Sequence, residues 1–107
     1  MDATQYLVRK KYLQAYKNID EIIFINNLPT LDLHGFDRET ARVYINDFIK
    51  ENKKLKNSFF IIVHGIGSGI IKHETQKVLM QNKDVINFKL ANFNEGCTIV
   101  QIKIDFI

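Results

Sequence analysis

Cysteine, proline and tryptophan are scarce in this sequence: its 107 residues include one Cys, one Pro and no Trp. A single cysteine excludes an internal disulfide and a cysteine-rich zinc site. No apolar run approaches the ~20 residues that a membrane-spanning helix needs. Residues 1–18 are too polar for the apolar centre of a secretory signal. These absences predict a soluble protein of the cytoplasm.

Apolar residues, by contrast, are plentiful: 46% of the chain is hydrophobic, 25% is charged, and eight residues are Phe. This balance is typical of a folded globular protein and argues against intrinsic disorder. The length suits one domain, so a separate cofactor-binding domain is not expected. The net charge of +3 is compatible with a polyanionic partner. Whole-chain charge alone, however, does not distinguish nucleic-acid binding from ordinary surface lysines.

Pro29 marks the clearest break in the chain, because proline disfavours helical conformation in the residue before it. Residues 3–17 precede this break and carry apolar residues at helical spacing, with basic residues between them. Residues 22–25 form a short β-branched and aromatic run that suits either a strand or a packed loop. We therefore predict an N-terminal helical extension over residues 1–28 and a folded domain over residues 29–107.

Beyond Pro29, strand-like and helix-like patterns alternate. Residues 30–34 alternate polar and apolar, as in a half-buried strand, and Asp37 stands where a helix N-cap is expected. The apolar run over residues 59–63 is typical of a central strand covered on both faces. The predicted strands are 30–34, 59–63, 85–91 and 98–104; one predicted helix follows Asp37 and has a basic end over 50–56, and the other covers roughly 70–82.

The element order β-α-β-α-β-β predicts an α/β (α+β) two-layer sandwich, with a mixed four-stranded sheet and two helices on one face. The first units favour parallel strands joined by right-handed crossovers. Residues 92–97 are short enough to join the last two strands as a hairpin. Apolar and polar residues alternate in the last predicted strand, around Ile99, Gln101 and Lys103, as expected for a strand.

Asp32 and His34 form the first candidate for chemistry. Spaced two apart on one strand, they should point to the face opposite Leu31 and Leu33. The carboxyl end of a strand is where open α/β sheets place ligand groups. A carboxylate can orient an imidazole, and the imidazole can move a proton near neutral pH. The alternative is that Asp32 only caps the following turn and His34 only packs.

The second candidate is the segment His64-Gly65-Ile66-Gly67-Ser68-Gly69, which joins a predicted strand to a predicted helix. Its glycines permit positive φ and close backbone approach, so that N–H groups can surround an anion. Ser68, the positive end of the following helix and Lys72 in its first turn would assist phosphate binding. A tight turn that serves only helix–sheet packing is the alternative. The dinucleotide and NTPase loop patterns are not matched, since Ile70 stands where G-x-G-x-x-G needs glycine.

These two candidates should lie together, because consecutive parallel strands often neighbour one another. A proton-transfer pair beside a phosphate-binding loop fits phosphodiester cleavage. Asp32, His34 and His64 could also hold a divalent metal, although the residues require no cofactor. Cys97 is expected to be a small buried side chain, and His73 is expected on the exposed side of its helix.

Together these residues are similar to the Smr (small MutS-related) domain family, in its stand-alone form. The likeness rests on Leu31-Asp32-Leu33-His34-Gly35, the helix start at residues 37–41, and the loop at residues 64–69 followed by Ile71-Lys72. It covers about residues 30–105. It implies the fold of the C-terminal domain of translation initiation factor three, with two helices on a four-stranded mixed sheet.

The resemblance also implies an endonuclease that nicks DNA or cleaves RNA, including messenger RNA on stalled ribosomes. It implies that Asp32 and His34 serve activity and that His64, Gly65, Gly67 and Gly69 serve substrate binding or cleavage. The family's G-G-x-G-x-T turn is only partly kept in Asn94-Glu95-Gly96-Cys97-Thr98, where Glu95 adds a negative charge. A non-catalytic module that binds nucleic acid or the ribosome is the alternative function.

Overall fold

The computed structural model describes residues 19–22 and 27–105. Its elements are β1 (Thr30–Asp32), α1 (Arg38–Lys54), β2 (Phe59–Val63), α2 (Ile70–Gln81), β3 (Val85–Ala91) and β4 (Asn94–Ile102), preceded by a 3₁₀ turn at Ile19–Glu21. The predicted β-α-β-α-β-β order is confirmed. The N-terminal helix predicted over residues 3–17 lies outside the described residues.

The four strands form one mixed sheet in the order β1-β2-β4-β3. β1 and β2 pair in parallel, with Asp32 opposite Val63. β4 pairs antiparallel with β2 on one side and with β3 on the other. The carboxyl ends of β1 and β2 therefore lie at the same edge of the sheet as the β3–β4 hairpin. This edge is called the site edge below.

The two helices cover one face of the sheet, as predicted. Asp37 caps α1, since its Oδ1 accepts a hydrogen bond from the Thr40 N–H at 2.8 Å; this bond lowers the pKa of the Asp37 carboxyl. The apolar residues of α1 recur at helical spacing and pack on the sheet with those of α2. The buried core on this face consists of Leu33, Ala41, Ile45, Ile49, Phe60, Ile62, Val78, Leu79, Val100 and Ile102.

The other face of the sheet is covered by the chain before β1. Ile19 and Ile22 are 1% and 0% exposed. They pack in a second buried cluster with sheet residues, with Leu28 at its margin; the sheet residues are Phe59, Ile61, Ala91, Cys97 and Ile99. Both faces of β2 are thereby buried, which confirms the prediction of a central strand.

Three predicted strand boundaries are wrong, one of them the end of β4, which lies at Ile102 rather than at residue 104. β1 ends at Asp32 rather than at residue 34, because residues 33–36 form a hydrogen-bonded turn. β4 begins at Asn94 rather than at residue 98, so the hairpin turn consists only of residues 92 and 93. Gly96 and its polar neighbours do not resemble a strand locally. They extend β4 because Asn94 pairs with Ala91 and the Gly96 carbonyl accepts from the N–H groups of His64 and Gly65.

The expected alternation is confirmed only at the end of β4, where Val100 and Ile102 are buried and Gln101 is partly exposed. Residues 96–100 are buried without interruption, since β4 is an inner strand with a packed layer on each face.

Within the described residues, neither helix is long and apolar enough to cross a membrane.

Candidate active site

The turn that follows β1 presents His34 to solvent. The Phe36 N–H donates to the Leu33 carbonyl at 3.1 Å, which closes a four-residue turn with His34 and Gly35 at its corner. Gly35 has φ of 80°, the positive value that type II turns require at this position and that glycine adopts without strain. The His34 side chain is exposed and can therefore meet a substrate without any rearrangement of the core.

The Asp32 carboxylate acts on this turn through the backbone. Its Oδ1 accepts a hydrogen bond from the His34 N–H at 2.9 Å. This is the local cap that the alternative interpretation anticipated, and it fixes the main chain from which the imidazole projects. A direct contact between the carboxylate and the imidazole stays a prediction for the substrate-bound state.

The glycine-rich segment after β2 turns the chain sharply into α2. Gly65 and Gly69 have φ of 83° and 82°, values that strain any residue with a Cβ. Gly69 is the N-cap of α2 and has no side chain to bond the helix N–H groups. The Ser68 hydroxyl lies 3.5 Å from the Ile70 nitrogen, too far for a strong cap. Donors of the first turn of α2 therefore remain available to an anion.

The electrostatics around the start of α2 favour a negative ligand. The first turn carries no acidic side chain between Ile70 and His73, and it contains Lys72. Burial lowers the pKa of His64, and the positive charge of Lys72 lowers it further, against a hydrogen bond to Gly65 that raises it. Lys72 thus lies close enough to His64 to add positive potential at the glycine-rich segment.

His64 is held inside the domain, only 8% exposed. Its Nδ1 lies 2.9 Å from the Gly65 carbonyl oxygen, and its Nε2 lies 2.8 Å from the Thr98 hydroxyl. A carbonyl only accepts, so Nδ1 carries the proton, and the Thr98 hydroxyl donates to Nε2 of the neutral ring. His64 therefore links β4 to the backbone of the glycine-rich segment.

Gly96 supports the same link from the backbone of β4. Its carbonyl accepts hydrogen bonds from the N–H groups of both His64 and Gly65, at 2.9 and 3.0 Å. A Cβ at Gly96 would lie 3.2 Å from the Asn94 Oδ1 and 3.5 Å from the Gly65 backbone. The close approach of β4 to the glycine-rich segment thus favours glycine at this position.

Strand register brings the candidates together. Asp32 lies opposite Val63, and Val63 lies opposite Cys97, so the three form a row across the sheet at the site edge. The Leu33 N–H donates to the Val63 carbonyl at 2.9 Å and extends the pairing past β1. His34 and Gly65 each follow this row by two residues. Since neighbouring strands lie about 4.8 Å apart, the two segments leave the sheet side by side.

Cys97 is buried and confirms the expectation of a small interior side chain. Burial raises the pKa of its thiol, and the negative charge of Asp32 raises it further. The thiol is therefore a poor nucleophile at neutral pH.

Asp32, His34 and His64, the three residues considered as metal ligands, do not share a common contact. Among residues 19–22 and 27–105, no group of three His, Cys, Asp or Glu side chains is arranged to hold a metal ion. Asp32 engages the backbone of its own turn, His34 is exposed, and His64 engages Gly65 and Thr98. His73 is exposed, as predicted.

Two contributors were not recognised as site residues from the sequence. Thr98 and Gly96 hold His64 and the glycine-rich segment, although both were noted only as remnants of a turn pattern. The available signal was chemical: Thr98 is a hydroxyl residue inside an otherwise apolar run, and a buried hydroxyl requires a partner.

These features define a small α+β domain that presents an exposed histidine beside a glycine-rich loop and an uncapped helix start at one sheet edge. The Smr domain family model matches residues 31–103, and the chain belongs to the Smr domain family.

The curated proteins that this chain resembles are longer chains. The chain is 38% identical over 76 residues to endonuclease MutS2 of Streptococcus suis (strain 05ZYH33) and 36% identical over 78 residues to endonuclease MutS2 of Ligilactobacillus salivarius. These matches cover 68% and 70% of this chain and 10% of each relative. The chain thus spans about a tenth of the length of these curated relatives.

Solved structures confirm the fold. The Smr domain of Thermus thermophilus MutS2 superposes with a TM-score of 0.69 at 24% identity, covering 71% of this chain and 99% of that one. YdaL, a stand-alone small MutS-related protein from Escherichia coli, gives a TM-score of 0.66 at 17% identity, covering 82% and 79%. At these identities the likeness concerns the fold.

Proposed function

We propose that this protein is a nucleic-acid endonuclease that cleaves a phosphodiester bond at the site edge. The observation that carries the proposal is the parallel register of β1 and β2, which sets the His34 turn beside the glycine-rich segment. A residue able to transfer protons and a phosphate-binding loop are the two components that such cleavage needs. The MutS2 relatives are named endonucleases, which supports the same activity.

Phosphate binding is assigned to the segment from Gly65 to Lys72. The uncapped N–H groups at the start of α2 would donate to the nonbridging oxygens of the scissile phosphate. Lys72 would supply a positive charge that strengthens as the phosphate gains charge in the transition state. Gly67 and Ser68 lie exposed between the two glycines of positive φ, Gly65 and Gly69. There the backbone and a hydroxyl can approach the substrate.

Proton transfer is assigned to His34. With RNA, the neutral imidazole would remove the proton from the 2′-hydroxyl, whose oxygen then bonds to the adjacent phosphorus. The bond from phosphorus to the 5′-oxygen breaks, and that oxygen receives the proton that His34 removed, directly or through water. The products are a 2′,3′-cyclic phosphate and a 5′-hydroxyl, with the imidazole neutral again. With DNA, water would be the nucleophile instead. Asp32 would hold the turn that carries His34.

His64 would contribute by positioning. Both of its ring nitrogens are engaged, so it is less suited than His34 to exchange a proton with a substrate. Its bond to the Gly65 carbonyl would keep the glycine-rich segment in its binding conformation. Its contribution to cleavage, like that of Asp32 and His34, stays a prediction.

The test is incubation of the protein with labelled RNA and with supercoiled plasmid, comparing the wild type with His34→Ala. Cleavage of either substrate by the wild type and its loss in the variant, with unfolding temperature unchanged, is the expected result. Undiminished cleavage by His34→Ala would contradict the assignment. A parallel reaction with a chelator separates the metal-free mechanism available to RNA from a metal-assisted one.

A second candidate function is a module that binds nucleic acid or the ribosome without cutting. Two observations favour it: the Asp32 carboxylate bonds the backbone rather than the His34 ring, and Glu95 adds an exposed negative charge at the site edge. Oligonucleotide binding that weakens steeply with salt, in the absence of any cleavage by the wild type, is the result that this alternative predicts.

A further inference from the structure

Arg42 on α1 and Glu74 on α2 join the two helices at one point on the outer layer. The Arg42 Nε donates to the Glu74 Oε1 at 2.9 Å. Glu74 is 3% exposed, whereas the side chain of Arg42 remains 51% exposed. A buried carboxylate thus anchors a guanidinium that still faces solvent.

The anchoring leaves most of the guanidinium available. Arginine has five N–H donors, and the contact to Glu74 engages Nε, which carries only one of them. The terminal nitrogens form the planar fork that recognises phosphate. Because the buried Glu74 restrains the side chain, less conformational entropy is lost when an anion binds.

This pair has two further cationic neighbours, Arg38 and Lys77, and one acidic neighbour on α1, Glu39, three residues before Arg42. The pKa of Glu74 is lowered chiefly by its hydrogen bond from Arg42, and also by the charges of Arg42, Lys77 and Arg38. Three cations thus act on a single carboxylate, more than its neutralisation requires. Arg38 and Lys77 are exposed.

The cluster is close to the proposed cleavage site along the helices. Arg42 lies four residues after the start of α1, and Glu74 lies four residues after the start of α2. Four residues span about 6 Å of helix axis, and both helices begin at the site edge. Each strand of a DNA duplex carries one phosphate per about 3.4 Å of helix axis, so this separation spans at most about two nucleotides of a strand.

We infer that Arg38, Arg42 and Lys77 form a second phosphate-binding site, which holds the nucleic-acid backbone one to two nucleotides from the bond that is cut. The inference rests on the proposed function, because it extends the same substrate along the helices. It assigns Arg42 the main contact and Glu74 the positioning of Arg42.

The test measures affinity and its salt dependence for a labelled single-stranded 12-mer RNA and DNA. Arg42→Gln is compared with Lys54→Gln, which removes the same charge from the opposite end of α1. Arg42→Gln should weaken binding about tenfold and reduce the slope of log affinity against log salt by about 0.7, the value for one phosphate contact on a single strand. Lys54→Gln should change neither.

Cleavage of a dinucleotide separates this inference from the proposed function. The dinucleotide is too short to reach Arg42. The wild type and Arg42→Gln should therefore cut it at the same rate. If the wild type binds and cuts but Arg42→Gln binds the 12-mer like Lys54→Gln, the second site is refuted and the endonuclease stands. If the wild type neither binds nor cuts, both are refuted. The unfolding temperature of Arg42→Gln is measured as well. If the salt bridge between Arg42 and Glu74 is only structural, this variant should lose stability and keep its affinity for the 12-mer.

Discussion

His64 illustrates how a buried polar residue can hold the backbone of a candidate site in place. The ring bridges the Gly65 carbonyl and the Thr98 hydroxyl, and burial favours its neutral form. In that form each ring nitrogen has a partner of the right kind. The arrangement stabilises the backbone conformation at Gly65 rather than supplying a free base.

Thr98→Val should destabilise the protein by about 1–3 kcal/mol, because it leaves the Nε2 of His64 buried without a partner. Thr98→Ser is the matched control, since it keeps the hydroxyl and removes only a methyl group. Urea unfolding of both variants and the wild type measures the difference. Equal stability of Thr98→Val and Thr98→Ser would show that the hydrogen bond contributes little.

Local residue chemistry made Asp32, His34 and the glycine-rich segment recognisable from the sequence, but not the partners of His64. Thr98 is 34 residues away from His64. The two meet only because β4 pairs with β2 in one register, which no short sequence pattern encodes. The backbone role of Asp32 was foreseeable as a turn cap, yet sequence could not choose between that role and a contact with the imidazole.

The proposed phosphate binding depends on the segment from Gly65 to Gly69. Gly69 has a positive φ and Gly67 does not. A Cβ at either position would meet no atom within 4 Å. The two glycines therefore differ in backbone requirement while facing equally open space, which allows fold and binding to be tested separately.

Gly67→Ala should leave the stability unchanged but weaken oligonucleotide binding about tenfold, because its methyl group would enter space assigned to the phosphate. Gly69→Ala should lower the stability by about 1–2 kcal/mol, the cost of a left-handed backbone with a Cβ. Thermal unfolding and fluorescence anisotropy measure the two quantities. Unimpaired binding by Gly67→Ala would argue against close backbone approach to the phosphate.

Element identity was largely predictable, and so were the ends of β2 and β3, whereas those of β1 and β4 were not. The apolar run at residues 59–63 and the cap at Asp37 have strong local signals, and both elements occur where expected. β4 begins early because the Gly96 carbonyl accepts from His64 and Gly65. That pairing is a tertiary effect, and glycine and asparagine conceal it by favouring turns.

At the scale of the whole molecule, the described part of the chain has two buried layers, one on each face of the sheet. The helices form one layer, and the chain around Ile19, Ile22 and Leu28 forms the other. The sequence predicted the first from helical periodicity. The apolar run at residues 59–63 predicted cover on the second face as well, but not which segment supplies it, because a three-residue 3₁₀ turn carries no periodic signal.

A variant lacking residues 1–28 should be less stable than one lacking residues 1–18, which retains both isoleucines. Each buried isoleucine contributes about 1.5–3 kcal/mol, a large share of a typical total of about 5–15 kcal/mol. Urea unfolding gives the difference, and light scattering reports association through the uncovered sheet face. Equal stability of the two variants would mean that Ile19 and Ile22 add little to this layer.

The central claim is that His34 transfers a proton during phosphodiester cleavage at the site edge, and the cleavage rate under single-turnover conditions at saturating protein tests it most directly. His34→Ala should lower this rate by about 10²–10⁴-fold, and added imidazole should restore part of it, because the His34 position is open to solvent. His73→Ala, which removes another exposed histidine, should cut at the wild-type rate. A His34→Ala protein that cuts as fast as the wild type would contradict the account.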